Sequence, residues 1–408
     1  MNILFLNLYD KQGGAETIFN LCYELSVENN NCFRLVLAGD EDKTNKLYSV
    51  MSKNTFLRFR YFIEHFIWIK RLVRFWAFMR ILSLVLLHKI DIIHLHNTHD
   101  YLISIKGIEI LLKIVPVVWT FHDMWGMTGH CAYSSKCTKW RNGCQVCNNL
   151  LEYPSIQRNC TKKNFLRKNK LYMKKNIYRV CPSKWLYDMV VESGMNKKRL
   201  FCISNGVDCA IFRRIDKKKA RKNCGLDENK KYLLFVAASL DNKIKGMKYL
   251  LDALKLLQDI KDLELLVIGE HCKKVLQCNI PIHLVGYISD RKVANELYAA
   301  ADLFVLPSME DNFPCTTLEA MASGTPVIAF NIGGITEQLC DEVGYLVKER
   351  SAVALAEGIR KALLNDEERF QTAEKAYAKC LERYAAQKMG DRYSILYRKA
   401  ISRFRRNK

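Results

Sequence analysis

Short apolar runs alternate with amphipathic segments along most of the chain. NILFLNL, from Asn2, is a continuous apolar run of strand length, and Gly13-Gly14-Ala15-Glu16 then opens a helix through about Leu25. FRLVLAG, IDIIHLH and VPVVWTFH read as further buried strands, and RVCPS and FCISNGVD close this first half. The second half repeats the logic, with strands at KYLLFVAAS, LELLVIGE, IHLVGY, DLFVLPS and TPVIAF and helical patterns between them. Strands apolar on both faces, separated by helices, belong to parallel sheets covered on both sides. Two successive sets predict an α/β protein of two Rossmann-like, doubly wound domains, residues 1–205 and 206–375, with a charged helical tail at 376–408. Asn205-Gly206-Val207-Asp208 begins the linker, and the charged run Arg213 to Arg221 continues it.

One stretch breaks this rhythm. Residues 56–89, FLRFRYFIEHFIWIKRLVRFWAFMRILSLVLLHK, are aromatic, apolar and basic. At 100° per residue Arg60, Lys70, Arg71 and Arg74 fall within roughly a third of the circumference. A basic stripe on an aromatic helix suits the face of an anionic membrane: rings enter the acyl boundary and cations meet headgroups. A buried helix or helix pair with snorkelling charges is the alternative.

Composition sharpens the choice of partner. Of 408 residues, 49% are hydrophobic and 26% charged, which suits two globular cores, while the net charge of +22 calls for an anionic partner. Nucleic acid, anionic lipid and a phosphorylated substrate all qualify. The start MNILFLNLYDKQGG reads as a first strand, not a secretory signal, so a cytoplasmic protein is expected, with its sixteen cysteines as thiols. No run is long and apolar enough for a spanning helix.

The candidate chemistry lies after DLFVLPS, in EDNFPCTTLEAMASGTPVIAF, Glu310 to Phe330. Ligands of open parallel sheets bind beyond the carboxyl ends of the strands, and a helix that starts there presents free N–H groups to a diphosphate. Thr316 and Thr317 can offer backbone N–H groups and hydroxyls to phosphate. Glu319, one turn in, can accept from vicinal ribose hydroxyls, and Asp311 in the loop can hold sugar hydroxyls. Two carboxylates flanking a phosphate-binding helix start make a nucleotide-sugar site.

This run resembles the acid-x7-acid motif of retaining glycosyltransferases of the GT-B fold, family 4 (group 1). The family usually has Glu at both positions; here Asp311 stands first, beside Glu310, and Glu319 second. AMASGTPVIAFNIGGITEQL, Gly13-Gly14-Ala15-Glu16, VCPSKWLYDMVVESG and ISNGVD also look like the family, so the resemblance covers nearly the whole chain. It implies two Rossmann-like domains facing a cleft, the first taking the acceptor and the second the donor, with the last helix returning to the first domain. It implies catalytic roles for His122, Asp311 and Glu319. Donor contacts would come from Gly13, Gly14, Lys245, Tyr287, Asn312, Phe313, Thr316, Thr317 and Glu319. His94 and His96 are read as structural or acceptor-side. One departure stands out: the family's Arg ahead of Lys-Gly is replaced by Ser239, with Lys243 as the substitute charge beside Lys245-Gly246. The run Glu310 to Leu339 carries no DxD-type metal motif, so metal-independent catalysis through positioning and electrostatics is expected.

Immediately after His122 the spacing Cys131-x5-Cys137-x6-Cys144-x2-Cys147 places four thiols in the loop 124–150. They can form a structural zinc site, remain free thiols or pair as disulfides, and His130 is a spare ligand. The loop resembles one in bacterial polysaccharide transferases related to colanic acid assembly. The reading is therefore a retaining transferase moving sugar from a nucleoside-diphosphate sugar to a lipid-linked glycan for capsule or exopolysaccharide, peripheral on the inner face of the cell membrane. Its partners would be the nucleotide sugar, the lipid-linked saccharide and the anionic membrane surface, with no nucleic acid and no cofactor needed for catalysis. The alternatives are a basic nucleic-acid-binding protein with a zinc module, or an inactive GT-B partner subunit.

Overall fold

The computed structural model describes residues 1–11, 13–99, 101–270, 278–340 and 342–407. The chain forms two compact units, one of Met1–Ser204 with Met389–Lys408 and one of Asn205–Lys388. The first holds seven strands: β1 (Asn2–Tyr9), β2 (Asn31–Ala38), β3 (Leu47–Met51), β4 (Ile92–Leu95), β5 (Val117–Thr120), β6 (Ile177–Cys181) and β7 (Leu200–Cys202). They order as β3-β2-β1-β4-β5-β6-β7, all parallel. The register sets Leu4 beside Phe33 on one side and Ile93 on the other. Every residue of β4, β5 and β6 is buried, as the unbroken apolar runs require.

The second unit repeats this order: β8 (Lys231–Ser239), β9 (Leu263–Glu270), β10 (Ile282–Gly286), β11 (Leu303–Leu306), β12 (Val327–Phe330) and β13 (Tyr345–Val347), arranged β10-β9-β8-β11-β12-β13. In each sheet the chain reverses its direction of growth beside the first strand, between β1 and β4 and between β8 and β11. Such a switch point leaves a crevice beyond the strand ends, where α/β proteins bind ligands.

Four elements differ from the sequence reading. The edge strands β3 and β13, LYSVM and YLV, are short and only partly apolar, as exposed edges usually are, so no strand was expected there. Residues 56–89 form two helices, Lys53–His65 and Ile67–Leu87, with Phe66 extended between them, so the basic stripe does not run along one helix. The run Arg213 to Arg221 is part of the second unit, not linker: Arg221 is buried against Asp302, Nη2 to Oδ2 2.7 Å, and Lys217 reaches the same carboxylate at 2.9 Å. The tail is two helices, Asp366–Tyr384 and Ala386–Arg406, because extended Ala385 lets Val207 pair with both flanking peptides: Val207 N donates to Tyr384 O and Ala386 N to Val207 O.

From Met389 onward the last helix packs in the first unit. Tyr397 Oη lies 2.7 Å from His94 Nδ1, and Tyr393 Oη 2.8 Å from Thr120 Oγ1. The helix Ile67–Leu87 is apolar on both faces. Ala77, Ile81, Leu84 and Val85 enter the core, while Trp68, Leu72, Phe75, Trp76 and Met79 face solvent. The exposed set follows i, i+4, i+7, i+8, i+11, one continuous stripe. Among the described residues no helix is long and apolar enough to cross a membrane.

Candidate active site

In the second unit Lys245, Asp311, Asn312, Thr316, Thr317 and Glu319 lie on the segments that follow β8 and β11, at the β8/β11 switch point, while Tyr287 lies past β10 at the sheet edge. After β8 the chain makes a 3-10 turn, Lys243–Lys245, capped by the Asn242 side chain, and Gly246 follows with φ 76°. A Cβ on Gly246 would sit 1.8 Å from the carbonyl oxygen of Pro307, so only glycine allows this contact. Met309 N donates to Ile244 O at 2.7 Å across the same junction. This docking carries Lys245 Nζ to 2.6 Å from Asp311 Oδ2. Asp311 is only 8% exposed, and its backbone is held by a second glycine contact: a Cβ on Gly333, φ 51°, would meet Asp311 O at 2.0 Å. The loop is tied further by Asn205 Nδ2 donating to Phe313 O and Gln338 Nε2 to Pro314 O.

The helix Cys315–Ala322 starts here. Thr317 is fully buried, and among the described residues no partner lies within hydrogen-bond distance of its hydroxyl or that of Ser308, at the end of the β11 loop. Buried hydroxyls are rarely left so, and a ligand at a helix start is one way to satisfy them. Glu319, half-buried, accepts from Tyr298 Oη at 3.0 Å. Burial raises its pKa, and the Tyr298 hydrogen bond and the charge of Arg291 partly offset this. Asn312 is buried, Thr316 half-buried and Tyr287 exposed just past β10. Phe313 faces the core, edge-on to Tyr384 at 5.5 Å, so its ring is a support for the loop. Ser239 ends β8 without a charge, and Lys243 is exposed.

In the first unit the β1/β4 switch point gathers a second set. Gly13 precedes the helix Gly14–Val27, and a Cβ there would lie 2.5 Å from Glu16 Oε2, so the glycine makes room for that carboxylate. Asn7 Nδ2 donates to Glu16 Oε1, and Asn97 N to Asn7 Oδ1. Burial pushes the Glu16 carboxyl up to about 7. His122 follows β5; its Nε2 lies 2.8 Å from His96 Nδ1, and the two rings stack. Burial holds His122 down to about 4, so its imidazole is neutral at physiological pH. It can therefore orient or hydrogen-bond a sugar, but it brings no positive charge.

His94 is structural, with Thr120 and Tyr397 on its two nitrogens. His96 positions His122. His99 Nε2 pairs with Asp123 Oδ2 at 2.8 Å, and its Nδ1 meets Tyr153 Oη at 3.0 Å. Glu16, His96, His99, Asp123 and Tyr153 were not read from the sequence as a set; the one hint was their clustering after strand-like runs. His122 belongs to the first unit, and Asp311 and Glu319 to the second. In the Cys loop, Cys131, Cys137, Cys144 and Cys147 are free thiols around one cavity, and burial pushes Cys131 up to about 12.

Two parallel-sheet units with these motifs define a GT-B glycosyltransferase. Residues 13–211 match the model for Glycosyltransferase Family 4 and residues 216–379 that for Glycosyl transferases group 1, so the chain belongs to the family 4, group 1 glycosyltransferases. A glycosyl transferase of Escherichia coli (strain K12) assigned to colanic acid biosynthesis, WcaC, is 27% identical over 277 residues, 65% of this chain and 66% of its own. N-acetyl-alpha-D-glucosaminyl L-malate synthase of Bacillus anthracis is 27% identical over 207 residues, 49% of this chain and 54% of its own. The match thus spans between half and two thirds of these relatives. The crystal structure of Anabaena Alr3699/HepE in complex with UDP-glucose superposes with TM-score 0.71 at 17% identity, over 97% of this chain and 99% of that one.

Proposed function

We propose that the protein is a retaining glycosyltransferase that takes its sugar from a nucleoside-diphosphate sugar and passes it to a lipid-linked glycan in surface polysaccharide biosynthesis. The observation that carries this reading is the construction at the β8/β11 switch point. A cation, Lys245, and two carboxylates, Asp311 and Glu319, surround a helix start with a buried, unpartnered threonine hydroxyl. Lys245 and the helix N–H groups would stabilise the leaving diphosphate as its charge grows. Glu319 would accept from the ribose and Asp311 from the sugar. No side chain here is assigned as nucleophile; the donor phosphate would take the acceptor proton on the face it leaves, which retains configuration. His122, neutral, would orient the sugar. The acceptor, and a place on the inner membrane surface, are supported by the exposed aromatic stripe of Ile67–Leu87 with exposed Arg71 beside it.

The test is thermal unfolding with UDP, GDP, ADP, CMP or no nucleotide, without added divalent metal. A ligand that binds only the folded state adds about 2.7 kcal/mol at a hundred times its Kd, a clear shift. One diphosphate nucleotide is expected to stabilise the wild type and not Glu319→Ala, which should keep its fold and lose transfer. No shift with any nucleotide would remove the donor-site reading. The anomeric configuration of the product, read by NMR, checks retention.

A further inference from the structure

The loop between the 3-10 turn Met124–Gly126 and the helix Thr161–Tyr172 plays no part in the donor chemistry, yet it holds four cysteines around one cavity. Cys131, Cys137, Cys144 and Cys147 line it together with His130 and the buried Trp140; its volume is about 30 Å³, enough to admit a small ion. Elsewhere in the chain Cys22, Cys181 and Cys380 are buried in the packed cores. Here the thiols surround a space.

The backbone is bent to bring them there. Gly143 and Cys144 are both left-handed, φ 77° and 49°, and a non-glycine residue held there is strained unless something fixes it. The Cys144 sulfur receives the N–H of Gly129 at 3.2 Å. Gly129 is pressed on Thr161, where a Cβ would lie 2.6 Å from the threonine Cβ, so this donor reaches the sulfur only because residue 129 is glycine. His130 Nε2 is 3.3 Å from the Cys147 sulfur, and its Nδ1 is 3.1 Å from the carbonyl of Pro154, which can only accept. Buried Lys168 donates to the carbonyls of Trp125 and Thr128 and brings positive charge beside the loop. One N–H aimed at a sulfur, that of Gly129, with a cation nearby, belongs to the surroundings of metal-bound thiolates.

We propose that this cavity is a structural zinc site, with the thiolates of Cys131, Cys137, Cys144 and Cys147 as its four ligands. A d10 ion with four sulfurs at about 2.3 Å needs no further ligand and staples the loop from both ends. Among the described residues the one set of three histidine, cysteine or acidic donors within 4.8 Å of one another is Cys22, His94 and His96, so the four loop sulfurs stand wider than in a closed tetrahedral site and the proposed binding requires them to move together. That buried set is no rival, since both nitrogens of His94 already have partners. The zinc loop also reaches the candidate active site. Ala132 N donates to Tyr153 O, Tyr153 Oη meets His99, and His99 holds Asp123, the residue after His122.

The test uses the full chain, expressed with zinc in the medium and purified without chelators. Elemental analysis should give about one zinc per chain and X-ray absorption four sulfur neighbours at about 2.3 Å. The pair Cys144→Ser and Cys147→Ser should lose the metal, while Cys202→Ser, exposed and outside the loop, should keep it. If the serine variants do not fold, cobalt titration of chelator-treated wild type carries the test, since thiolate-to-cobalt absorption and a recovered melting temperature are expected. Metal-free protein whose melting temperature ignores both zinc and chelator would overturn the proposal, as would disulfides found among the four by mass spectrometry. None of these readouts depends on glycosyl transfer.

Discussion

Lys245 and Asp311 depend on each other. Sixty-six residues apart, they meet at 2.6 Å in a site where Asp311 is almost covered. Removing one partner of such a pair strands the other charge. Lys245→Gln is therefore expected to lower the melting temperature and to reduce kcat/KM on the order of 10²-fold or more, because a developing diphosphate loses its cation. Adding Asp311→Asn should restore much of the stability and none of the turnover. Recovery of turnover in the double variant would show that the pair is only structural. The motif residues were legible because they sit together in one run of sequence. Tyr298, Ser308, His99 and Asp123 were not, since each takes its meaning from a partner or neighbour that only the fold supplies.

At the scale of elements, glycines decide where the site forms. Gly246→Ala places a methyl against the Pro307 carbonyl at a left-handed position, with no flexible neighbour to yield. A loss of roughly 2 kcal/mol or more is expected, with weakened nucleotide binding, as the Lys245 turn lifts from the β11 loop. Gly194→Ala, also left-handed but with open space around its Cβ, should cost less; equal urea midpoints for the two would show that the close approach does not matter. The helix Ile67–Leu87 supports a different prediction. Burying Trp68 and Trp76, 62% and 65% exposed, in an acyl boundary should dominate the proposed membrane attachment, with Arg71 adding salt-dependent affinity. Trp68→Ser with Trp76→Ser should reduce sedimentation with anionic vesicles at least about tenfold, since each buried ring contributes well over 1 kcal/mol. Unchanged sedimentation would assign the stripe to a protein partner. The sequence showed an aromatic, basic segment here, but not the break at Phe66, because nothing in its local pattern stops a helix. The strands of both sheet centres were legible from their apolar runs, whereas β3 and β13 carry too little apolar surface to stand out.

The whole molecule combines two cores of like topology, and its tryptophans report on only one. All six lie in the first unit, at 68, 76, 119, 125, 140 and 185, so fluorescence follows that unit's unfolding alone. Burial depresses four histidines of that unit, His94 and His96 well below the ordinary value, His122 to about 4 and His130 in the same direction. An unfolded chain protonates these histidines below about pH 6.5, so stability present above that pH is lost as the pH falls. Glu16 acts the other way. Its folded value near 7 lies above the unfolded 4.5, so the folded state holds its proton through this window and loses the advantage as pH rises through 7. More histidines than carboxyls are shifted, so the net effect is a loss of stability as the pH falls below about 6.5, with an optimum near neutrality. Urea midpoints by tryptophan fluorescence at pH 5.5, 6.5 and 7.5 measure this. Glu16→Gln should steepen the acid limb, because the histidine protons are then unopposed. A flat midpoint between pH 5.5 and 6.5 would mean that the histidines are solvated or charged in the folded protein. His122 would then be free to meet its sugar as a cation, and the neutral, orienting role assigned to it would have to be given up.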